Sequence, residues 1–564
     1  MVFTCPEFRV DYHRPDGYQL YSVRGKPSSA LVDLALVSGQ QSRFALDPSM
    51  TTAQFETMYR KWIKNSCNRR VADEVFAFYA EDDPSTEVAF ITLKKKDTYV
   101  SIGLLGVSPN HRRRGLAMAL LKRAQVYASE NKLGMEVATQ GANTGACRLY
   151  EKAGFSEGAR LTDYHVWLPL LGAQHRIKAN VPYVSYREKL NLMRMFKTKA
   201  IESCGPFTKS VQEWMEQRLE AKRVLLTGSA TAALDQAAIV IGVGEGDEII
   251  MPSYTFVSTA NCFVLRGATP VFVDVHKTTL NIDETKIEAA ITPKTKAICV
   301  VHYAGMGCEM DAIMDIAKRH NLIVIEDAAQ AFLARYKGRH LGTIGHLGCF
   351  SFHYTKNIIA GEGGALSIND ERFLDRAMIV WEKGTNRFDF VQKKVDKYCW
   401  VDLGSSFVPN ELLAAFLRAQ LDEADRINQK RRRIFEVYAR ELQVLANHGI
   451  QMVPTEPETN GHIFWLCMSS VEERQRVQTH FKAQNIECFS HYLPLHSAPA
   501  GLQYGRAVGD MTNTDRAGET LIRLPIWNAM NWQHVYKVIS ALLKSLGQEH
   551  KVSKNCIRKY FLPR

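Results

Sequence analysis

Two rhythms of apolar and polar positions recur along the chain. Val100–Val107 alternates and is rich in β-forming residues, so it predicts a strand. Leu116, Ala119, Leu120, Ala124 and Tyr127 then follow at helical spacing. Further on, Leu322–Ile325 places four apolar residues in a row, the mark of a parallel strand buried on both faces. Other strand-like runs end near Leu226, Pro252 and Phe352, each before a turn of small or polar residues. Strands leading through turns into helices predict an α/β protein. The longest apolar runs, Ala237–Gly244 and Ala297–Gly307, fall short of the ~18–20 residues that span a bilayer, so no membrane partner is expected.

The rhythm breaks between Pro169 and Pro182, where prolines and a glycine punctuate a stretch without periodicity. The expected division is a first domain over 1–170, a linker over 171–180, a second domain over 181–546 and a basic, poorly ordered tail over 547–564. Hydrophobic residues at 46% and charged residues at 23% exclude a largely disordered chain of 564 residues. The net charge of +12 raises the question of nucleic acid, but the excess is spread out and suits anionic nucleotide substrates equally well. No nucleic-acid partner is expected. The opening MVFTCPEFRVDYHR lacks a basic segment followed by an apolar one, so the expectation is a cytoplasmic protein. Twelve cysteines include no C-x-x-C pair, and Cys299, Cys349 and Cys467 lie inside apolar runs, which suits reduced thiols and no metal site.

Chemistry enters first at Ser108-Pro-Asn-His-Arg112-Arg-Arg114-Gly115-Leu-Ala117. A basic turn between a strand and a helix presents free N–H groups and the positive helix end to an anion, although a solvated capping turn has the same spacing. Arg112-x-x-Gly115-x-Ala117, followed by Asn143-Thr-Gly-Ala-Cys-Arg-Leu-Tyr150, resembles the acetyl-CoA signatures of the GNAT acyltransferase superfamily. The resemblance implies that Val107, Arg112, Arg114, Gly115, Ala117 and Asn143 hold acetyl-CoA and that Tyr150 protonates the leaving thiolate. Ser38–Pro48 and Thr162–Leu168 are similar to the branch that acetylates amino sugars on a nucleotide, such as the dTDP-fucosamine acetyltransferases, with Arg43 as a candidate for substrate phosphate or a surface ion pair. Asp73 and Glu74 are weak candidates for the base.

In the second half, Thr227-Gly-Ser229-Ala-Thr231-Ala232 is a small-residue turn into a helix, again suited to a phosphate. Phe256 follows a strand that stops at Pro252 and either stacks on a flat ring or belongs to the core. Glu326 and Asp327 stand at the C-terminal end of a buried strand, where open sheets bind ligands. A carboxylate there can hold a pyridine nitrogen protonated; Asp327 could equally cap a helix. Lys356, just past Phe350-Ser351-Phe-His and beside Gly361-Glu-Gly-Gly364, is a candidate amine of lowered pKa.

Together with Gly205-Pro-Phe-Thr208, Val301-His302-Tyr-Ala-Gly305 and His491-Tyr-Leu-Pro-Leu-His496, these segments resemble the DegT-type sugar aminotransferases, nearest to the dTDP-4-amino-4,6-dideoxygalactose transaminases. The resemblance implies a GNAT fold followed by a fold-type I pyridoxal 5′-phosphate enzyme with a large α/β/α domain and a smaller α+β subdomain. It makes Lys356 the Schiff-base lysine, places Asp327 on the pyridinium nitrogen and Gln330 beside the ring hydroxyl, and stacks Phe256 on the ring. Thr231, Ala232 and Ser351 would hold the phosphate, and His302 and His491 the substrate. Many members reach a neighbouring subunit's phosphate with an asparagine where this chain has Ser406, so the resemblance implies a homodimer with a serine in place of that asparagine. An amine-making half beside an amine-acetylating half implies a bifunctional nucleotide-sugar enzyme. The alternative is an acetyltransferase half that serves another amine or only binds.

Overall fold

The computed structural model describes residues 2–5, 12–42, 44–47, 50–159, 176–199, 201–456, 458–548 and 554–561. The chain divides into two units, Met1–Leu171 and Gly172–Arg564.

The first unit is built on β1 (Val2–Cys5), β2 (Tyr18–Ser22), β3 (Glu74–Ala80), β4 (Asp83–Lys95), β5 (Tyr99–Val107), β6 (Gly134–Ala138) and β7 (Ser156–Ala159), in the order β2-β3-β4-β5-β6-β1-β7. Strand alternation divides its core between the two faces. Phe76 and Phe78 pack with Leu116, Leu120 and Ala124 of the helix Leu116–Glu130, whereas Val75 and Ala77 pack with Leu31, Leu34 and Ile63 of the helices Ser29–Gly39 and Thr52–Cys67. The second of those starts in a capping box of Thr51 and Gln54. All neighbours are antiparallel except β5 and β6, whose ladder runs only from Tyr99↔Gly134 to Ile102↔Val137. Beyond Ile102 that edge of β5 is free of β6.

The second unit's main sheet comprises β8 (Arg223–Thr227), β9 (Glu248–Pro252), β10 (Thr269–Val273), β11 (Thr295–Val301), β12 (Ile323–Asp327), β13 (Leu347–Ser351), β14 (Gly364–Ile368) and β15 (Arg506–Ala507). Their order is β15-β10-β9-β11-β12-β13-β14-β8, with β14 antiparallel to both neighbours and every other pair parallel. Both faces are covered: Ile250, Ile298 and Val324 enter one core, and Ile249, Cys299 and Ile325 the other. A smaller layer of Gln451–Met452, Phe464–Cys467 and Leu521–Leu524 packs with the helices Ala424–Glu441, Val471–Ala483 and Trp532–Ser545. The α/β class and the split into a large domain and a small α+β subdomain are as expected.

Two expectations at the edges are corrected. The linker ends sooner than residue 180, because Ile177 is buried in the small subdomain and exchanges backbone hydrogen bonds with Asn485 and Glu487. The tail is not wholly loose: Lys554–Tyr560 is helical, Ile557 is buried, and Arg440 lies 4.0 Å over the Tyr560 ring. A few apolar residues among the basic ones suffice to dock it. Among the described residues no disulfide joins two cysteines, and no helix is long and apolar enough to cross a membrane.

Candidate active sites

In the first unit, the free edge of β5 opens a cavity of about 1170 Å³. Gly103–Val107 line it along the part of β5 that β6 does not pair, and Gly106 lets the helix Ser29–Gly39 approach, since a Cβ there would meet Leu34 O at 3.0 Å and Ser38 Cβ at 3.2 Å. The basic turn runs along the opposite wall. Gly115 at φ 80° caps the helix Leu116–Glu130, and Arg113 at φ 62° is also left-handed. That double turn decides which arginines face the cavity. Arg112 and Arg113 line it with Gly115 and Ala117; Arg114 turns away and donates to Tyr18 Oη at 3.0 Å. Of the two expected arginines, Arg112 lines the cavity and Arg114 does not, while Arg113, not among those expected, does.

Asn143 also lines the cavity, but its Oδ1 accepts from Ala146 N–H at 3.2 Å and so caps the helix Thr144–Lys152. Tyr150 lies on the wall between Phe3 and Phe155, and burial pushes its phenol up to about 12. It thus keeps its proton at neutral pH, as an acid toward a thiolate must. Neither candidate base reaches the cavity: Asp73 is held by Lys94 at 2.7 Å, and Glu74 by Arg69. Arg43 lies outside the described residues.

In the second unit, the C-terminal ends of β8, β12 and β13 converge. Alternation sends the two carboxylates of β12 opposite ways. Glu326 is consumed by structure, accepting from the N–H groups of Gly342 (2.8 Å), Ile344 (2.7 Å) and Gly345 (2.5 Å) and from His302 Nε2 (2.8 Å). Asp327 faces Lys356. Burial raises its pKa, while the Thr259 hydroxyl (2.7 Å), the Ala329 N–H (3.1 Å) and the Lys356 charge oppose that rise. Lys356 keeps some surface toward the cleft but is hemmed in by protein. Burial lowers its amine to about 8, helped by Arg523 and resisted by Asp327.

Around this pair, Gln330 accepts from Ala304 N–H (2.7 Å) and donates to Tyr492 Oη (2.8 Å). Tyr492 stacks on His491 at 3.7 Å, and His491 Nδ1 meets Tyr303 Oη at 2.7 Å. Phe256 stands 55% exposed, its ring 6.3 Å from Tyr492. The helix Ala230–Val240 begins nearby, with Thr231 Oγ1 bonded to Ser258 Oγ at 2.8 Å. Ala232 differs from its expected role, since its N–H is already taken by Ser229 Oγ at 3.0 Å. Only glycine fits at Gly364, where a Cβ would lie 2.3 Å from the Ser229 carbonyl carbon. Ser351 is buried at the end of β13, and its Oγ accepts from His353 N–H at 3.4 Å.

His302 is a correction. It is fully enclosed, its Nδ1 accepts from Cys308 N–H at 3.2 Å, and its Nε2–H therefore donates to Glu326. It braces the strand end and presents nothing to a substrate. Ser406 is exposed, bridged through backbone to Glu382. Sequence reading missed Thr259 and Ser258. Thr259, three residues past Phe256, lay in a segment already singled out.

The donor set fits pyridoxal 5′-phosphate: a braced carboxylate for a ring nitrogen, a lysine of lowered pKa, and a helix start with hydroxyls for a phosphate. Comparison with known proteins agrees. Residues 183–543 match the model of the DegT/DnrJ/EryC1/StrS aminotransferase family, whose members depend on that cofactor, and residues 43–155 match the acetyltransferase (GNAT) family, which uses acetyl-CoA. GDP-perosamine synthase of Caulobacter vibrioides is 32% identical over 374 residues, covering 65% of this chain and 97% of its own. The spore coat polysaccharide biosynthesis protein SpsC of Bacillus subtilis is 34% identical, over 60% and 90%. Among solved structures, the aminotransferase TlmJ of Streptoalloteichus hindustanus superposes with a TM-score of 0.60 at 27% identity, covering 65% of this chain and 97% of its own. The chain therefore belongs to the DegT/DnrJ/EryC1/StrS aminotransferase family and carries, ahead of that region, an acetyltransferase domain of the GNAT family.

Proposed function

We propose that this chain makes an amino sugar and then acetylates it. The second unit moves an amino group from glutamate to carbon 4 of a dTDP-4-keto-6-deoxyhexose, giving dTDP-4-amino-4,6-dideoxygalactose for surface polysaccharide. The first unit transfers acetyl from acetyl-CoA to the new amine. The observation that carries this reading is the presence, in one chain, of the Lys356–Asp327 constellation and an acyl-CoA-type cavity rimmed by Arg112, Arg113 and Tyr150. Two relatives are named for sugar or polysaccharide synthesis, which supports a sugar substrate.

When bound, pyridoxal 5′-phosphate supplies the carbonyl that carries nitrogen between donor and acceptor and the ring that takes up electrons. The residues hold it and manage protons. Asp327, whose hydrogen bonds from Thr259 and Ala329 oppose the rise that burial imposes, would hold a proton on the ring nitrogen. Thr231, Ser258, Ser351 and the start of the helix Ala230–Val240 take the phosphate. Lys356, with its amine near neutrality, accepts and returns a proton at its Nζ. Gln330 is locked by Ala304 and Tyr492 and fixes the ring edge; Phe256 covers the ring. His491, oriented by Tyr303, faces the sugar. In the first unit, Arg112 and Arg113 take the diphosphate and Tyr150 protonates the departing thiolate.

Exposed apolar side chains at Phe390, Tyr398, Trp400 and Leu403 support a homodimer through the second unit, to be checked by light scattering on the eluting protein. The deciding experiment supplies purified protein with the keto sugar nucleotide and glutamate, with and without acetyl-CoA. A product heavier by one acetyl group only when acetyl-CoA is present supports both steps. Free amine in both tubes removes the second step, and unchanged keto sugar removes the first. Proton couplings of the product fix the carbon-4 epimer.

A further inference from the structure

The hairpin Arg335–His340 carries cations on both faces, and only one face is neutralised. Lys337 (φ 49°) and Gly338 (φ 80°) make its two-residue left-handed turn, which sets Arg335 opposite His340. Directly opposed side chains share a face of a strand pair. On the other face Arg339, with Lys337 at the turn, holds Asp311. Arg335 has no carboxylate among the described residues: its Nη2 donates to His340 Nε2 at 2.8 Å and its Nη1 to the Gly338 carbonyl at 2.5 Å. His340 does not compensate that charge. It is 3% exposed, and burial, followed by the fields of Arg335 and Arg218, depresses its imidazole to about 4. Neutral acceptors therefore fix the guanidinium in place and leave its charge unmatched.

Arg335 lines a cavity of about 210 Å³ together with Arg218, at the end of the helix Pro206–Leu219, and Arg432 of the helix Ala424–Glu441. Arg218 meets Asp425 at 2.8 Å, a surface pair of small worth because that carboxylate is 77% exposed. Arg432 makes no hydrogen bond and no ion pair with any described residue. The second carboxylate of the lining, Glu458, is committed to the hairpin turn, where its Oε1 accepts from Gly338 N–H at 2.9 Å. The Thr459 hydroxyl accepts from Gly461 N–H at 3.3 Å and has its own proton to give. Asn428 and Asn460 close the floor and hold the Asn357 amide at 2.9 and 3.0 Å, so the cavity lies behind the turn that bears Lys356. We propose that this cavity binds a phosphate group, as the free ion or as a monoester. A carboxylate has two oxygens and is satisfied by one guanidinium, as Glu248 is by the Nε and Nη2 of Arg506. Three guanidiniums and a hydroxyl suit an anion with three or four oxygens. At ~30 Å³ per water the space takes one such group with its nearest waters, and it is too small for a nucleotide sugar.

The test is calorimetric titration of the full chain with its cofactor and coenzyme A bound, so that the phosphate sites serving those groups are already filled. Inorganic phosphate should bind once per chain. Arg335→Gln should raise its Kd about tenfold or more, and Arg432→Gln, at the exposed rim, about threefold. Arg372→Gln, a surface arginine paired with Asp370 away from the cavity, should leave it unchanged. Titration with glycerol 3-phosphate separates the two sources. Binding tighter than that of phosphate assigns a phosphorylated metabolite, and equal or weaker binding assigns the free ion, with the same losses in the two cavity variants. A wild-type chain that binds no phosphate overturns the site. So does a Kd unchanged in both cavity variants, or an equal loss in Arg372→Gln. If thermal melting shows that Arg335→Gln loosens the hairpin, Arg432→Gln decides by the same criterion.

Discussion

Replacing Lys356 by methionine should make the cofactor-free protein more stable. The folded chain holds this amine at about 8 against an ordinary 10.5, mainly by burial, so folding works against its protonation. Below pH 8 the amine is charged in both states and the full penalty applies. As pH rises from 8 to 10.5 the penalty shrinks, and above that the amine is neutral in both states and the penalty is gone. At about 1.4 kcal/mol per unit the upper bound is about 3 kcal/mol. Lys356 keeps some surface open to the cleft, and screening there reduces the figure to roughly 1.5–2.5 kcal/mol. Methionine matches the stem in length and carries no charge, so Lys356→Met should recover about that amount at pH 7 and almost none near pH 10.5. The assay is denaturant unfolding of the stripped protein at both pH values, reading the midpoint at constant slope. Other groups that titrate at high pH are common to both proteins and cancel in the difference. A midpoint unchanged or lowered at pH 7, or an equal gain at both pH values, would refute the claim that burial depresses this amine.

Tyr150→Phe should lower acetyl-transfer turnover about a hundredfold while the KM for acetyl-CoA moves less than about twofold, as followed by thiol release. Because the Tyr150 phenol sits near 12, the wild-type profile should show no loss from this acid up to about pH 11. Arg113→Ala should raise the acetyl-CoA KM roughly tenfold and Arg114→Ala leave it nearly unchanged; the reverse order would mean that the turn faces the other way. Gly364→Ala forces a Cβ into the Ser229 backbone and should cost about 1–3 kcal/mol by thermal melting, with loss of cofactor absorbance.

Much of the fold was legible because both units obey simple periodicities. Leu322–Ile325 reads as doubly buried and is: Val324 and Ile325 enter opposite cores. The helix start after the small-residue turn at Gly228 was equally plain, and Ser229 caps it. The edges were harder. Ile177 is one apolar residue among polar ones, and its backbone partners Asn485 and Glu487 lie some three hundred positions away. A local pattern cannot register a partner that distant. Ile557 is the same case in the tail.

At the sites, residue types were legible and directions were not. Glu326 and Asp327 are adjacent carboxylates, and alternation requires that they point apart, but which one meets a ligand depends on which face carries Lys356. Four donors around Glu326 answer the question, since a carboxylate so fully satisfied has no lone pair left to offer. His302 goes with it, because the Cys308 N–H fixes the ring tautomer and commits the remaining proton to Glu326. Arg113 and Arg114 differ by one residue in a left-handed turn, a conformation that spacing does not encode. Motifs therefore locate chemistry where neighbouring residues act together.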